Sequence, residues 1–334
     1  MNSFGRVFRI TIFGESHGPY IGVSIDGVKP GVPLKVEDFE QDLKRRMPEN
    51  PYVTKRKEKD ELIIASGIFN DKTTGAPLTI LLKNEDIDST PYRVTTRIPR
   101  PSHADLVAKI KYKGFNDNRG GGIFSARLTS GLVAAGVVAK KILENVKIES
   151  KIISIGGFPY PSEEVEKLLE RISKEGDSLG GAIRTKIENL PIGIGEPYFD
   201  GIESYLSHIL FSIPSLKAIS FGNGIESAGL KGSEYIDSII DSDGKTKTNN
   251  SGGINGGISN GNEILFTCFF HPVVSIRKEV KSYDFEKNEK VSISFGGRHD
   301  ICHIFRLPVI VEACCAIVIL DLQMINNLYI QNLY

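Results

Sequence analysis

Five residues near the N-terminus, Gly14-Glu15-Ser16-His17-Gly18, spell G-x-S-x-G, the pattern by which a serine hydrolase presents its nucleophile. That chemistry needs a strand turning sharply into a helix, so that the hydroxyl stands above a sheet built by earlier strands. Residues 8–13 alternate as a strand should. The segment after the motif, "PYIGVSIDGVKPG", opens on proline and carries Ile21, Val23 and Ile25 at strand spacing. The motif therefore predicts a glycine-rich hairpin turn carrying Ser16 and His17, and an esterase elbow fails on its context.

Three further stretches draw on the same glycine, histidine and arginine palette: "RIPRPSHAD" with arginine and histidine, "NRGGGIFSARLT" with arginine and glycine, and "FGGRHD" with all three. Three of the six histidines, His17, His103 and His299, fall in loop-like segments beside Ser16, Asp105 and Asp300. An imidazole moves protons near neutral pH, and arginine forks bind carboxylate or phosphate through paired charge-assisted bonds. These residue types point to proton transfer on an anionic substrate. The 34 glycines concentrate in "NRGGGIFSA" and "NNSGGINGGISNG", where a backbone can approach a phosphate or a flat ring closely. Neither cluster has Rossmann or P-loop spacing. The histidines and cysteines lack zinc-site spacing, so no metal is expected.

Something must hold these loops. Strand-like runs recur at 8–13, 22–26, 62–65, 77–82, 147–155, 182–187, 263–270 and 291–294. Between them, "VEDFEQDLKRRM" places Val36, Phe39 and Leu43 on one helical face. "SEEVEKLLERISKEG" opens on a serine N-cap and ends at a glycine. Two broader helices, "FSARLTSGLVAAGVVAKKILENV" and "FRLPVIVEACCAIVILDLQMI", are apolar on most sides. They predict an α/β (α+β) fold, a β-α-β sandwich with central apolar helices between antiparallel sheets.

The chain has 334 residues, with 41 basic and 41 acidic side chains and a formal net charge of zero. Bulk charge therefore argues against nucleic acid as a partner. The run "LPVIVEACCAIVIL" is short for a bilayer and contains Glu312, so it reads as a core helix with no membrane role. Four cysteines without paired spacing fit free thiols in a reducing cytoplasm, and no secretory leader is visible.

The segments "FGESHG", "RPSHADLVAKIKYKGFNDNRGGG", "SARLT", "GGINGGISNG" and "GGRHDICHIFRLPVIVEA" resemble, in order and from one end of the chain to the other, the successive signatures of the chorismate synthase family. The resemblance implies one domain of that kind over 1–334. It implies anti 1,4-elimination of phosphate from 5-enolpyruvylshikimate 3-phosphate to give chorismate, the shikimate-pathway step toward aromatic amino acids. It also implies reduced FMN without net redox change, a cytoplasmic homotetramer, and an external flavin reductase as the source of electrons, some members using NADPH directly.

By that resemblance, His17 holds or protonates the departing phosphate, and His103 sits by the N1 and O2 edge of the flavin. Asp300 helps take the substrate proton, with Ser16 and Ser125 as relay hydroxyls. Arg46, Arg100, Arg127 and Arg298 contact substrate or flavin phosphate. Ser125, Ser215, Gly257, Arg298 and the segment His271, Pro272, Val273, Val274, Ser275 fall on flavin contacts. The chain departs from the family pattern at Ile123-Phe124, at Ser102 in "RPSHAD", at His271 where a lysine is usual, and near Pro51 where a second arginine has no counterpart. These departures bear on flavin and substrate affinity. A flavin- or nucleotide-binding protein that has lost catalysis stays as the alternative, separated by a flavin titration followed by a phosphate-release assay.

Overall fold

The computed structural model describes residues 2–54, 61–85, 87–297 and 299–331. Two five-stranded sheets form the outer layers, and both are antiparallel throughout. In the first, the spatial order is Ser3–Phe4, Arg9–Gly14, Tyr20–Asp26, Leu78–Lys83, Leu62–Ser66. In the second it is Leu216–Phe221, Ile264–Phe270, Gly181–Glu188, Lys147–Ile155, Phe158–Pro159. Alternation sets the faces: Ile21, Val23 and Ile25 pack inward beside Leu78, Ile80 and Leu82, all fully buried.

Helices Thr129–Ile142 and Pro308–Gln331 fill the space between the sheets and pack on each other. Their close crossing is set by a glycine, because a Cβ on Gly136 would lie 2.3 Å from Cβ of Ala313. Helix Pro308–Gln331 is long and apolar enough to cross a membrane by length and composition, yet most of it is buried inside the protein. Glu312, 3% exposed on that helix, accepts from Arg45 Nη1 and Nη2 at 2.6 and 2.8 Å and from the Ser150 amide at 3.1 Å. A buried carboxylate is tolerated there because it is paired. The layering expected from sequence, sheets outside and apolar helices inside, is the one observed.

Helix Glu163–Glu175 begins where Ser162 accepts from the Val165 amide and ends at left-handed Gly176. Residues Val36–Phe39 form a 3-10 turn before helix Glu40–Arg46, which leaves Val36 exposed while Phe39 and Leu43 are buried. Strands Ser3–Phe4, Leu216–Phe221 and Val280–Asp284 and helices Asp105–Lys111 and Ile202–Leu210 were not legible as separate elements in the sequence. All four cysteines are buried free thiols, and burial pushes Cys268 and Cys302 up to about 12.

Candidate active site

The opening motif is a turn between antiparallel strands. Gly14 pairs with Ile21 across the hairpin, and the strand Tyr20–Asp26 follows where an elbow would need a helix. Ser16 is buried, and its amide donates to the Gly122 carbonyl at 3.2 Å. Nδ1 of His17 lies 2.8 Å from Ser89 Oγ, while the ring meets Tyr92 edge-on at 5.3 Å between centroids.

The triple glycine is shaped to fit this turn. Gly120, Gly121 and Gly122 all have positive φ, at 59°, 86° and 54°, a conformation that side chains other than glycine rarely adopt. A Cβ on Gly120 would clash with His17 and with Ser16 Oγ, whereas one on Gly121 would stand 3.8 Å from both His103 Nε2 and Ser125 Cβ. The loop thus brings Ser16, His17, His103 and Ser125 around one stretch of bare backbone. Ser125 also begins the next helical turn, accepting from the Arg127 amide.

Each arginine has defined partners. Arg100 is buried, donating from Nε and Nη2 to the two carboxylate oxygens of Asp105, each at 2.8 Å, and from Nη1 to Ser275 Oγ at 3.2 Å. Nδ1 of His103 lies 2.8 Å from Asp105 Oδ1. Burial raises the Asp105 carboxyl, but the Arg100 guanidinium and His103 outweigh it and hold the group well below the usual carboxylate range. Arg46 donates to Thr129 Oγ1 at 3.1 Å and to the Ala126 carbonyl at 2.9 Å. Arg127, 1% exposed, donates to Asn84 Oδ1 at 3.1 Å and to the Lys83 carbonyl at 3.1 Å.

Asp300 accepts from the amide and hydroxyl of Thr54, at 2.7 and 2.6 Å, and from Arg306 Nε at 2.9 Å. Burial raises its carboxyl, and Arg306 with Thr54 brings it below its ordinary value. Arg306 also donates to the Arg46 carbonyl at 3.3 Å, which joins Asp300 to the arginine cluster. In the same 3-10 turn, His303 Nε2 lies 2.6 Å from Ser215 Oγ, and the His271 amide donates to the Ser215 carbonyl at 3.0 Å. His271 folds its own Nδ1 back to the Pro272 carbonyl. Val273 accepts from Ser178 through its carbonyl, and Ser275 meets Arg100, so the segment through Val274 runs along this cluster.

Gly257 packs against Glu196 and Gly201, and its carbonyl caps the Ile202 amide at the start of helix Ile202–Leu210. Arg298 lies outside the described residues. Sequence reasoning had missed Ser89, Tyr92, Asn84, Thr54, Arg306 and His303. Of these only Arg306 and His303 carried a signal, as a cation and an imidazole inside an already suspect segment.

A cleft of about 890 Å³ opens beside His103, between helix Asp105–Lys111 and the hairpin Val280–Asp284/Glu289–Ile293. Together, the sheet-helix-sheet sandwich and this loop cluster give the chain an enzyme-like site in which histidines, serines and arginines lie close to glycine backbone. Comparison with known proteins specifies it further. The family model described as chorismate synthase matches residues 8–324. The chain is 48% identical to the chorismate synthase of Chitinophaga pinensis, with 98% of each chain covered, and 43% identical to that of Korarchaeum cryptofilum, with 95% and 96% covered. A crystal structure of a chorismate synthase superposes with a TM-score of 0.76 at 26% identity, over 97% of this chain and 93% of that one. The chain belongs to the chorismate synthase family, and is thereby a lyase of aromatic amino acid biosynthesis.

Proposed function

We propose that this chain, as one functional unit over 1–334, eliminates phosphate from 5-enolpyruvylshikimate 3-phosphate in the anti 1,4 sense, giving chorismate with reduced FMN bound. The observation that carries the reading is the convergence of Ser16, His17, His103 and Ser125 on the Gly120–Gly122 backbone.

The residues present suit a flavin. Nδ1 of His299 and Nδ1 of His303 are buried without a hydrogen-bond partner among the described residues, and the backbone of Gly121 lies beside His103 and Ser125 with no side chain of its own. Ser125, Ser215, Gly257, Arg298 and the run His271, Pro272, Val273, Val274, Ser275 would hold it. When bound, the reduced flavin supplies electron density to a poorly activated reacting carbon and returns to its starting state.

The chain's own groups handle charge and protons. Arg46 and Arg127 draw in the substrate's phosphate and carboxylates, and Arg298 adds to them. His17, oriented through Nδ1 by Ser89, donates its proton from the other ring nitrogen to the departing phosphate oxygen. Asp300, held ionised by Arg306, is ready to accept the proton that the substrate loses, and Ser16 and Ser125 pass protons between these groups. Arg100 is committed to Asp105 and acts through His103. In this reading the protein works in the cytoplasm as a homotetramer, its flavin reduced by an external reductase or by NADPH.

Oxidation level decides the test. Substrate and product stand at the same level, so one charge of reduced FMN per enzyme should support many turnovers without oxygen or further reductant. The measurement is phosphate released per flavin under anaerobic conditions, with the flavin spectrum followed. One phosphate per flavin with matching oxidation rejects the reading, and flavin binding with no phosphate release leaves only a binding protein.

A further inference from the structure

Arg100 was expected to reach an anionic ligand, but its guanidinium is buried and spent on Asp105, which it meets through Nε and Nη2 at 2.8 Å each. The Arg100 amide donates to the same carboxylate at 3.0 Å. Asp105 in turn lies at the start of helix Asp105–Lys111, 2.8 Å from His103 Nδ1. That nitrogen also faces Arg100 Nη2, at 3.1 Å. Two chemically opposite neighbours therefore compete for one ring atom.

Their distances and charges settle the competition. If Nδ1 carried a lone pair, it would face an ionised carboxylate oxygen at 2.8 Å with no proton between two acceptors. If Nδ1 carries the proton, it gives Asp105 a charge-assisted bond, and the longer contact to Nη2 is left without a hydrogen bond of its own. Nη2 already has Oδ1 as a partner. The other ring nitrogen, Nε2, points toward Gly121 and the Ser125 side of the site.

We propose that Asp105, clamped by Arg100, is a positioning residue that fixes the neutral His103 ring in the Nδ1–H tautomer and so presents an unprotonated Nε2 toward a ligand beside the Gly121 backbone. An Nε2 lone pair accepts a hydrogen bond from a ligand N–H or O–H, which the opposite tautomer would repel. This assigns Arg100 to orientation and not to anion binding. It rests on the proposed function only for the identity of that ligand.

The test needs no ligand. Protein carrying 15N-labelled histidine is observed by long-range 15N–1H correlation above the ordinary histidine range, with His103→Gln used to assign the ring. A protonated-type Nδ1 and a free-type Nε2 are expected for His103. Asp105→Ala should then move the ring toward the Nε2–H form, and Asp105→Asn serves if the alanine variant does not fold. An Nε2–H ring in the unmodified protein, or a tautomer unchanged in the Asp105 variant, overturns the proposal, whatever the enzyme's reaction proves to be. In turnover, Asp105→Asn should lower kcat by about 10²-fold or more with KM changed far less, because an oriented base is lost and not a substrate contact. A fall confined to KM also overturns it.

Discussion

A Cβ added to Gly120 would lie 2.4 Å from Cδ2 and 2.4 Å from Nε2 of His17, and 2.7 Å from Ser16 Oγ. Those distances are shorter than real contacts allow, and φ at Gly120 is 59°. The absence of a side chain at this position is what lets the histidine and the triple glycine share one space.

Gly120→Ala should therefore push His17 out of place. We expect kcat to fall by about 10²-fold or more, since ångström-scale misplacement of a reacting group has that effect. The strained φ should also lower stability by about 1–3 kcal/mol. Gly157→Ala is the control: it has φ of 88° with nothing within 4 Å, so it should share the strain and keep its turnover. Equal loss in both variants would show that strain alone explains the effect.

Removing the imidazoles should be as informative. His17→Ala and His103→Ala should each lower kcat by about two to four orders of magnitude, the span of a positioned acid or base. Ser89→Ala, which deletes the 2.8 Å partner of His17 Nδ1, should lower it about tenfold, the equivalent of one hydrogen bond. Steady-state assays with circular dichroism as the folding control check all three.

His303 should make stability depend on pH. Burial pushes its ring down to about 4, with Asp300 opposing and His271 and Arg306 reinforcing the shift. The folded state then binds fewer protons than the unfolded chain between about pH 4 and the ordinary histidine value near 6.5. Stability is present above that window and is lost as pH falls through it, by about 3 kcal/mol. Unfolding free energies from urea titrations of the unmodified protein and His303→Gln should diverge across the window by that amount. Parallel curves would place the acid sensitivity elsewhere.

Asp321 should be an anchor of the fold. It is fully buried in helix Pro308–Gln331 and accepts from the amides of Arg6, Val7 and Phe8, at 2.8, 2.8 and 2.7 Å, and from the Tyr205 hydroxyl at 2.5 Å. Burial and the Asp321 carboxylate both hold the Tyr205 phenol far above its usual range, so the proton stays on Tyr205. Asp321→Asn turns an amide donor toward four donors. We expect a loss of about 2–4 kcal/mol, read by chemical denaturation, together with faster proteolysis of the first residues.

The sequence by itself determined what is local. Ser162 and Gly176 marked both ends of a helix because a cap and a left-handed stop act within a few residues. Alternation at Ile21, Val23 and Ile25 excluded the esterase elbow, and the apolar breadth of the two central helices predicted that sheets would cover them. The motif segments also named most of the residues that the fold gathers. Tertiary structure decided their partners. Nothing around Asp321 in the sequence announces amides more than 300 positions away, and it looked like one acid at the end of an apolar run. Leu216–Phe221 escaped notice because its strand character comes from pairing with Ile264–Phe270 more than from its own pattern. Arg100 reads in the sequence as a cation without a stated partner, and only the fold shows its Nε and Nη2 held by Asp105, even though the two are five residues apart. A side chain's type fixes which bonds it can make, but which group stands within 3 Å is fixed only when the whole chain has closed around it.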